Sequence, residues 1–213
     1  MILLDFSQTM IGSFMAMGKG SIVVEEDLLR HTVLNSIRQY KHQFRHVDHG
    51  GFVICCDSPK NWRKESFPEY KANRKKRRET DSTDWTSLFE FLHQMIADLR
   101  EYFPYKVMRV ERAEADDIIA VLTQEEMKNP TTIISSDKDF IQLQKYEGVQ
   151  QWSPLTKSFV KGNPEESLWE KLIKGDVGDG VPNILSSDDT LVTEGKRQRP
   201  VSVSYTHLTL PTR

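Results

Sequence analysis

The stretch that decides the fold is Thr131-Thr-Ile-Ile-Ser135, a run rich in β-branched residues with Asp137 and Asp139 close behind it. β-Branched side chains favour the pleated, packed surface of a strand. The sequence therefore predicts a strand over residues 131–135 with two carboxylates at its carboxyl end.

Two other predicted strands are also followed directly by an acidic residue. Residues 2–4 form an apolar run that ends at Asp5, and residues 51–56 form a second that ends at Asp57. Stretches with helical spacing of apolar residues lie between the runs. We expect further strands over residues 105–110 and 149–152, and helices over residues 25–44, 84–103, 114–127, 138–145 and 164–173. This alternation predicts an α/β fold, with a central mostly parallel sheet, helices on both faces and right-handed crossovers.

The acids gather at one edge of the predicted sheet. In an open parallel sheet the carboxyl ends of the strands share the edge at which ligands bind. The helix that begins near residue 114 brings three more acids to that edge. The residues expected there are Asp5, Asp57, Glu114, Asp116, Asp117, Asp137 and Asp139. So many carboxylates repel one another unless cations are bound among them.

Magnesium suits this cluster because it is a hard ion that prefers carboxylate oxygens and keeps several waters. The histidines and cysteines show no zinc-like pairing. We expect two Mg²⁺ ions, with Mn²⁺ able to substitute, and phosphodiester hydrolysis as the reaction. The first ion is assigned Asp5, Asp57, Glu114, Asp116 and Asp137, and the second is assigned Asp117, Asp139, Asp176 and Asp179.

Each acid also has an ordinary structural interpretation. A single Asp after a strand is commonly a turn former or helix cap, and the helix macrodipole favours acids at a helix start. A phosphatase with an aspartyl nucleophile is another alternative, but that class needs an acid two residues after Asp5, where Ser7 stands. The convergence of several strand ends favours the metal site.

Basic residues are concentrated in one segment of an otherwise acidic protein. Residues 60–78 contain nine basic and two acidic side chains, a local charge of +7 in a chain whose net charge is −2. Such a segment is typical of a protein that contacts a phosphate backbone. A solvated basic helix is the alternative interpretation.

Five acidic motifs in this order resemble those of the 5′ nuclease family of flap endonucleases and polymerase-associated 5′ exonucleases, and most closely its ribonuclease H members from T-even phages. The motifs are Leu-Asp-Phe-Ser (4–7), Cys-Asp-Ser (56–58), Glu-Ala-Asp-Asp (114–117), Ser-Ser-Asp-Lys-Asp-Phe (135–140) and Gly-Asp-Val-Gly-Asp (175–179). The order and spacing match over residues 1 to about 200.

The resemblance implies hydrolysis from a 5′ end on RNA–DNA hybrid, duplex or flap DNA, with removal of RNA primers in phage DNA replication. It implies that residues 60–83 form a basic arch in which Lys71 and Arg74 reach the scissile phosphate. The other basic side chains are expected to follow the nucleic-acid backbone, with an affinity that falls as salt rises. They are Arg63, Lys64, Lys75, Lys76, Arg77 and Arg78.

The resemblance also implies a helix-turn-helix element that grips duplex DNA, with a possible monovalent cation. Residues 175–183 match its beginning, and a further helix is expected to start at Pro182. The single-stranded-DNA-binding protein and the sliding clamp of a replisome are candidate protein partners. Two alternatives remain open, namely a nucleic-acid-binding module with impaired catalysis and a PIN-type ribonuclease.

Length and composition limit the remaining possibilities. A chain of 213 residues with 38% hydrophobic content can form one sizeable domain or two small ones. We predict a catalytic domain over residues 1–160, a partial helix-turn-helix region over residues 161–200 and a non-native tail over residues 201–213. No leader or membrane span is recognised, so we expect a cytoplasmic protein that does not bind membranes. We also expect the protein to be a monomer. Cys55 and Cys56 are expected to be buried, reduced thiols.

Overall fold

The computed structural model describes residues 1–17, 24–125 and 130–201, apart from the side chains of residues 48–50, 76, 77 and 125. The expected tail therefore lies almost wholly outside the described residues. Contacts divide the chain into two compact units. The first, here called the sheet unit, contains residues 1–61 and 82–162, and the second, the arch-and-loop unit, contains residues 62–81 and 163–213.

The sheet unit is built on a six-stranded sheet of order β3-β2-β1-β4-β5-β6. The strands are β1 (Ile2–Asp5), β2 (Phe52–Cys55), β3 (Lys106–Met108), β4 (Thr131–Ile134), β5 (Val149–Ser153) and β6 (Ser158–Val160). The first five are parallel and β6 is antiparallel to β5. The predicted mostly parallel α/β sheet is confirmed. The strand order reverses between β1 and β4, which creates a crevice at their carboxyl ends.

Alternate residues of the central strands enter two separate cores. Leu4 and Ile54 pack in a core with the helices α1 (Phe6–Met17), α2 (Glu26–Gln43) and α5 (Trp85–Tyr102), whereas Leu3 and Val53 pack in a core with α6 (Ala115–Glu125). Side chains that alternate along a strand point to opposite faces of the sheet. The prediction of helices on both faces is therefore confirmed.

The same alternation separates the two cysteines. Cys55 and Cys56 lie in different cores, and both are free and buried. Burial raises the pKa of the Cys56 thiol to about 12, with the neighbouring Asp57 adding to the effect. Both thiols are thus protonated core residues, as the sequence predicts.

Three elements of the sheet unit were not predicted, the first of which is a 3₁₀ helix, Arg45–Gly50. The helix α1 has no acid in its first turn and no base in its last, so the usual sequence signals of a helix are weak. The strand β6 has only three residues and pairs with β5 across a turn in which Lys157 adopts a left-handed φ of 52°. A strand this short is defined by its partner rather than by its own pattern. The helix expected at residues 138–145 is a 3₁₀ helix, Lys138–Lys145.

The described part of the arch-and-loop unit contains three α-helices, α3 (Arg63–Ser66), α4 (Ala72–Glu79) and α7 (Pro164–Lys174). The helix predicted to begin at Pro182 is wrong. Asn183 accepts hydrogen bonds from Leu185 N and Ser186 Oγ, and a 3₁₀ helix (Asp188–Leu191) follows. A side-chain acceptor of this kind competes with helical backbone hydrogen bonding. No helix in the described part of the chain is long and apolar enough to cross a membrane.

Candidate active site

Asp5 is the most buried acid of the candidate site. It ends β1 beside the crevice, and its carboxylate accepts hydrogen bonds from Gln8 N at 3.1 Å and from Ser135 Oγ at 3.1 Å. Burial, with smaller repulsion from Asp57 and Asp137, raises the pKa of Asp5 to about 7 although these two hydrogen bonds oppose the shift. The Asp5 carboxylate is therefore close enough to two other predicted metal ligands, Asp57 and Asp137, to be repelled by their charges.

Asp57 follows β2 and is fixed by the loop that leads from β3 to α6. Its Oδ1 accepts a hydrogen bond from Ala115 N at 2.7 Å, and its backbone carbonyl accepts one from Arg109 Nε at 3.0 Å. Ser58 closes the same junction, since Ser58 N donates to Ala113 O and Arg112 N donates to Ser58 Oγ. The junction connects Asp57 directly to the start of α6.

The acids at the start of α6 are the three that the sequence placed there. Asp117 Oδ2 accepts a hydrogen bond from Glu114 N at 2.9 Å, so Asp117 also serves as a cap for the first turn. Glu114 is buried, and Asp116 and Asp117 are half-buried. A helix N-terminus favours negative charge, which reduces the cost of placing three acids together.

Asp137 and Asp139 lie after β4 in a local hydrogen-bonded turn. Asp137 Oδ1 accepts from Asp139 N at 2.9 Å, and Asp137 N donates to Ser135 Oγ at 3.1 Å. Since Ser135 Oγ also contacts Asp5, one hydroxyl links the ends of β1 and β4. Gln151 Nε2 donates to the carbonyl oxygen of Asp137 at 2.6 Å and holds the turn from β5.

All seven acids expected at the sheet edge thus follow the carboxyl ends of their strands within the sheet unit. The donors are carboxylate oxygens, the chemistry that Mg²⁺ and Mn²⁺ prefer. The raised pKa of Asp5 indicates that its negative charge is poorly compensated by the protein alone. A divalent cation would supply that compensation, so these residues fit a metal site.

The remaining two acids, Asp176 and Asp179, belong to the arch-and-loop unit. Their carboxylate oxygens come within 4.8 Å of each other, and Asp176 Oδ1 accepts a hydrogen bond from Asp179 N at 3.1 Å. Asp176 forms an ion pair with Lys171 of α7. Burial alone would raise the pKa of Asp176, but the Lys171 ammonium, together with hydrogen bonds from the backbone N–H groups of Gly178 and Asp179, leaves that pKa below its ordinary value.

The basic segment contacts the loop that carries these two acids, here called the acidic loop (residues 175–182). Arg74 Nη2 pairs with Asp179 Oδ1 at 2.5 Å, and Arg74 Nε donates to Gly178 O at 3.1 Å. Asn73 Nδ2 donates to Val177 O at 2.5 Å. Sequence patterns gave no sign of this contact, because the partners are more than a hundred residues apart in the chain.

Backbone groups of the basic segment also contact the acidic loop. Lys71 N donates to Asp179 O at 2.7 Å, with Lys71 itself in the left-handed region at a φ of 57°. Gly180, at a φ of 78°, lies so near that a β-carbon there would stand 2.8 Å from Glu69 O. Tyr70 is buried, and its hydroxyl donates to Asp179 Oδ2 at 3.2 Å.

The other predicted nucleic-acid contacts are distributed along the arch. The Arg63 guanidinium lies over the rings of Trp62 and Tyr70, at 4.8 and 5.8 Å from their centroids. Lys64 and Lys75 are exposed. Burial, and then repulsion from Arg74, lowers the pKa of Arg78. The side chains of Lys76 and Arg77 lie outside the described residues.

The family model for the 5′-3′ exonuclease N-terminal resolvase-like domain matches residues 1–172 of this chain. The chain belongs to the 5′-3′ exonuclease family. The match contains all seven acids of the sheet edge and most of the fold described above. It extends through the basic segment into α7 and ends before Asp176.

Proteins of bacteriophages are similar to this chain, one in sequence and others in fold. The ribonuclease H of enterobacteria phage T4 is 36% identical over 208 residues, which cover 94% of this chain and 68% of that protein. Two solved structures of bacteriophage T5 proteins share the fold. One is a protein co-crystallised with metal ions, with a TM-score of 0.67, 18% identity and coverage of 86% of this chain and 68% of the other.

The second T5 structure is a variant flap endonuclease in a pseudo-enzyme-product complex with DNA and metal ions. It has a TM-score of 0.68 and 19% identity, and the match covers 86% of this chain and 69% of that one. In this member of the 5′-3′ exonuclease family, the roles of several supporting residues could not be predicted from the sequence. Arg109 and Ser135 each contact a predicted ligand through a tertiary hydrogen bond, for which the local sequence carries no signal. Gln8 Oε1 accepts from Ser136 N, next to Asp137, and Lys171 pairs with Asp176, five residues further along the chain.

Proposed function

We propose that this chain is a divalent-metal-dependent 5′-3′ nuclease that hydrolyses phosphodiesters from the 5′ end of RNA–DNA hybrid, duplex or flap DNA. The observation that carries the proposal is the buried Asp5 carboxylate, whose pKa is raised by burial and by the neighbouring Asp57 and Asp137. A polyanionic substrate would be repelled by such a site unless cations were bound in it. The T4 relative is named a ribonuclease H, which supports hybrid substrates. We propose the removal of RNA primers in phage DNA replication as the role of this cleavage.

The acids divide into two proposed metal sites. Asp5, Asp57, Glu114, Asp116 and Asp137 are proposed to hold one ion, and Asp117, Asp139, Asp176 and Asp179 the second. Bound in this way, Mg²⁺ or Mn²⁺ would lower the pKa of a water and neutralise developing charge on a phosphodiester. The supporting residues fix the orientation of the carboxylates, as Ser135 does for Asp5 and Ala115 N does for Asp57.

The basic arch is proposed to bind the substrate. Its side chains neutralise phosphates, which contributes affinity with little dependence on sequence. Lys71 and Arg74 are proposed to contact the scissile phosphate, and Arg63, Lys64, Lys75, Lys76, Arg77 and Arg78 the adjoining backbone. A monovalent cation and duplex contacts in residues 161–200 remain part of the proposal, as do a single-stranded-DNA-binding protein and a sliding clamp as partners.

Cleavage of a 5′-labelled RNA–DNA hybrid and of a matched 5′ flap tests the proposal. We expect short labelled products with Mg²⁺ at about 5 mM and none with EDTA, because the proposed ions are held by carboxylates and waters. The Asp137→Asn protein serves as the control for contaminating nuclease. Binding of both substrates without metal-dependent cleavage would instead support the binding module with impaired catalysis. Cleavage of single-stranded RNA in preference to the hybrid and the flap would support a PIN-type ribonuclease.

A further inference from the structure

The two acids of the acidic loop are neutralised by cations of the protein itself. Asp176 pairs with Lys171, and Asp179 pairs with Arg74 at 2.5 Å. The Arg74 guanidinium is partly exposed, with 42% of its side chain accessible, and the Asp179 side chain is 21% accessible. The pair can therefore open without exposing a buried core. This accessibility matters because both residues are proposed to have other partners during the reaction.

The contact between arch and loop does not depend on that ion pair alone. Asn73 and the backbone of Lys71 donate to the loop carbonyls of Val177 and Asp179, and Gly180 permits the close approach. Breaking the Arg74–Asp179 pair would leave these neutral hydrogen bonds in place. The side chain of Arg74 can therefore change partners while the loop keeps its position.

We propose that Arg74 and the second metal ion compete for the Asp179 carboxylate, so that metal binding releases Arg74 to the substrate phosphate. This inference rests on the proposed function, because it takes Asp179 as a ligand of that ion. A carboxylate oxygen already paired with a guanidinium is a weaker ligand for a cation, since like charges repel. By reciprocity, a phosphate that removes Arg74 from Asp179 strengthens metal binding by the same factor. Substrate and second metal then favour each other's binding.

Metal binding measured without nucleic acid tests the competition directly. Mn²⁺ is titrated into the full chain by calorimetry, with the free ion counted by electron paramagnetic resonance. We expect Arg74→Gln to tighten the Asp179-dependent Mn²⁺ site roughly fivefold, the contribution typical of a partly exposed ion pair. Arg74→Lys keeps the charge and should stay near the parent. Lys75→Gln removes the same charge from an exposed position of α4 and should change the affinity less than about twofold.

A double-mutant cycle assigns the effect to Asp179. In an Asp179→Asn background, Arg74→Gln should no longer change Mn²⁺ affinity, because the shared carboxylate is gone. Circular dichroism and thermal unfolding verify that each variant is folded. Unchanged or weaker Mn²⁺ binding by the folded Arg74→Gln protein overturns the competition. If the parent chain instead binds no Mn²⁺, and Asp137→Asn binds as little as the parent, the proposed metal-dependent function itself is refuted.

Discussion

The acids of the sheet unit and those of the acidic loop are held in different ways. At the sheet edge, Asp5, Asp57 and Asp137 accept hydrogen bonds from neutral donors, namely backbone N–H groups and the Ser135 hydroxyl. In the arch-and-loop unit, Asp176 and Asp179 are paired with Lys171 and Arg74. Neutral donors orient a carboxylate without cancelling its charge, whereas an ion pair cancels it.

This difference indicates different demands for a cation. The neutral donors described above leave the charge of Asp5, Asp57 and Asp137 uncancelled, and the pKa of Asp5 is raised to about 7. In the acidic loop, the ion pair with Lys171 contributes to a pKa of Asp176 that lies below its ordinary value. We therefore expect the proposed first metal site to bind its ion more tightly and to depend on it for stability, and the second site, which includes Asp176 and Asp179, to bind its ion more weakly.

The largest expected effect is on catalysis at the sheet edge. Asp137→Asn keeps the Oδ1 acceptor for Asp139 N but removes a charge from the proposed first metal site. Turnover of the 5′-labelled hybrid should fall by roughly 10³-fold, which corresponds to several kcal/mol of lost transition-state stabilisation. Substrate affinity, measured by fluorescence anisotropy with Ca²⁺, should change less than about threefold, since phosphate contacts by the arch supply most of it. Activity within tenfold of the parent would contradict the assignment of Asp137.

The next effect is on stability and concerns Asp5. Its pKa is about 7 in the folded chain against an ordinary value of 3.8, so the folded state binds the extra proton. The free energy of unfolding therefore decreases as pH rises from about 4 to about 7, and the penalty is fully present above pH 7. Asp5→Asn removes this penalty and should stabilise the metal-free protein at pH 8 by on the order of 3 kcal/mol.

Urea unfolding of both proteins in EDTA at pH 5 and pH 8 measures this difference. The gain should be much smaller at pH 5, where the Asp5 carboxyl is largely protonated. Addition of Mg²⁺ at pH 8 should stabilise the parent more than Asp5→Asn, because only the parent has the charge to neutralise. A variant that is less stable than the parent at pH 8 in EDTA would show that the hydrogen bonds from Gln8 and Ser135 outweigh the cost of burial.

The two regions also differ in how far the sequence predicts them. Strand ends with acids are local patterns, so the positions of Asp5, Asp57 and Asp137 follow from apolar runs and the topology of a parallel sheet. The ion pair of Arg74 with Asp179 is a tertiary contact, and no spacing rule connects its partners. The helix expected at Pro182 failed for a related reason, because Asn183 donates to Gln198 Oε1 and to Arg199 O, and these partners lie 15 and 16 residues further along the chain.

Packing of the arch against the acidic loop can be tested at a single glycine. A β-carbon at Gly180 would stand 2.8 Å from the carbonyl oxygen of Glu69, in addition to the strain of a φ of 78°. Gly180→Ala should therefore cost about 2–3 kcal/mol of stability in the arch-and-loop unit. Gly195→Ala is the matched control, with a φ of 80° but nothing within 4 Å of the added carbon, and should cost only about 1 kcal/mol.

Hydrogen exchange of the amides of residues 70–74 reports this local stability. Faster exchange in Gly180→Ala than in Gly195→Ala is expected, with the central strands of the sheet unit unchanged in both. Equal exchange in the two variants would mean that the loop moves away from Glu69 at little cost.

The smallest expected effect concerns how Asp57 is held by the sheet unit. Arg109 Nε donates to the Asp57 carbonyl at 3.0 Å, and its Nη2 lies 3.3 Å from His93 Nδ1 on α5. Arg109→Met should cost about 1 kcal/mol of stability, typical of one charged hydrogen bond in a partly exposed position. Lys106→Met removes the same charge from an exposed position of β3 and should leave the free energy of unfolding nearly unchanged.

The kinetics of the same two variants test whether Arg109 positions Asp57. If it does, Arg109→Met alone should lower kcat, by about tenfold at saturating Mg²⁺, and leave KM unchanged. A loss of kcat that higher Mg²⁺ fully restores would instead mean that Arg109 acts on metal affinity, and equal kcat in the two variants would restrict Arg109 to stability.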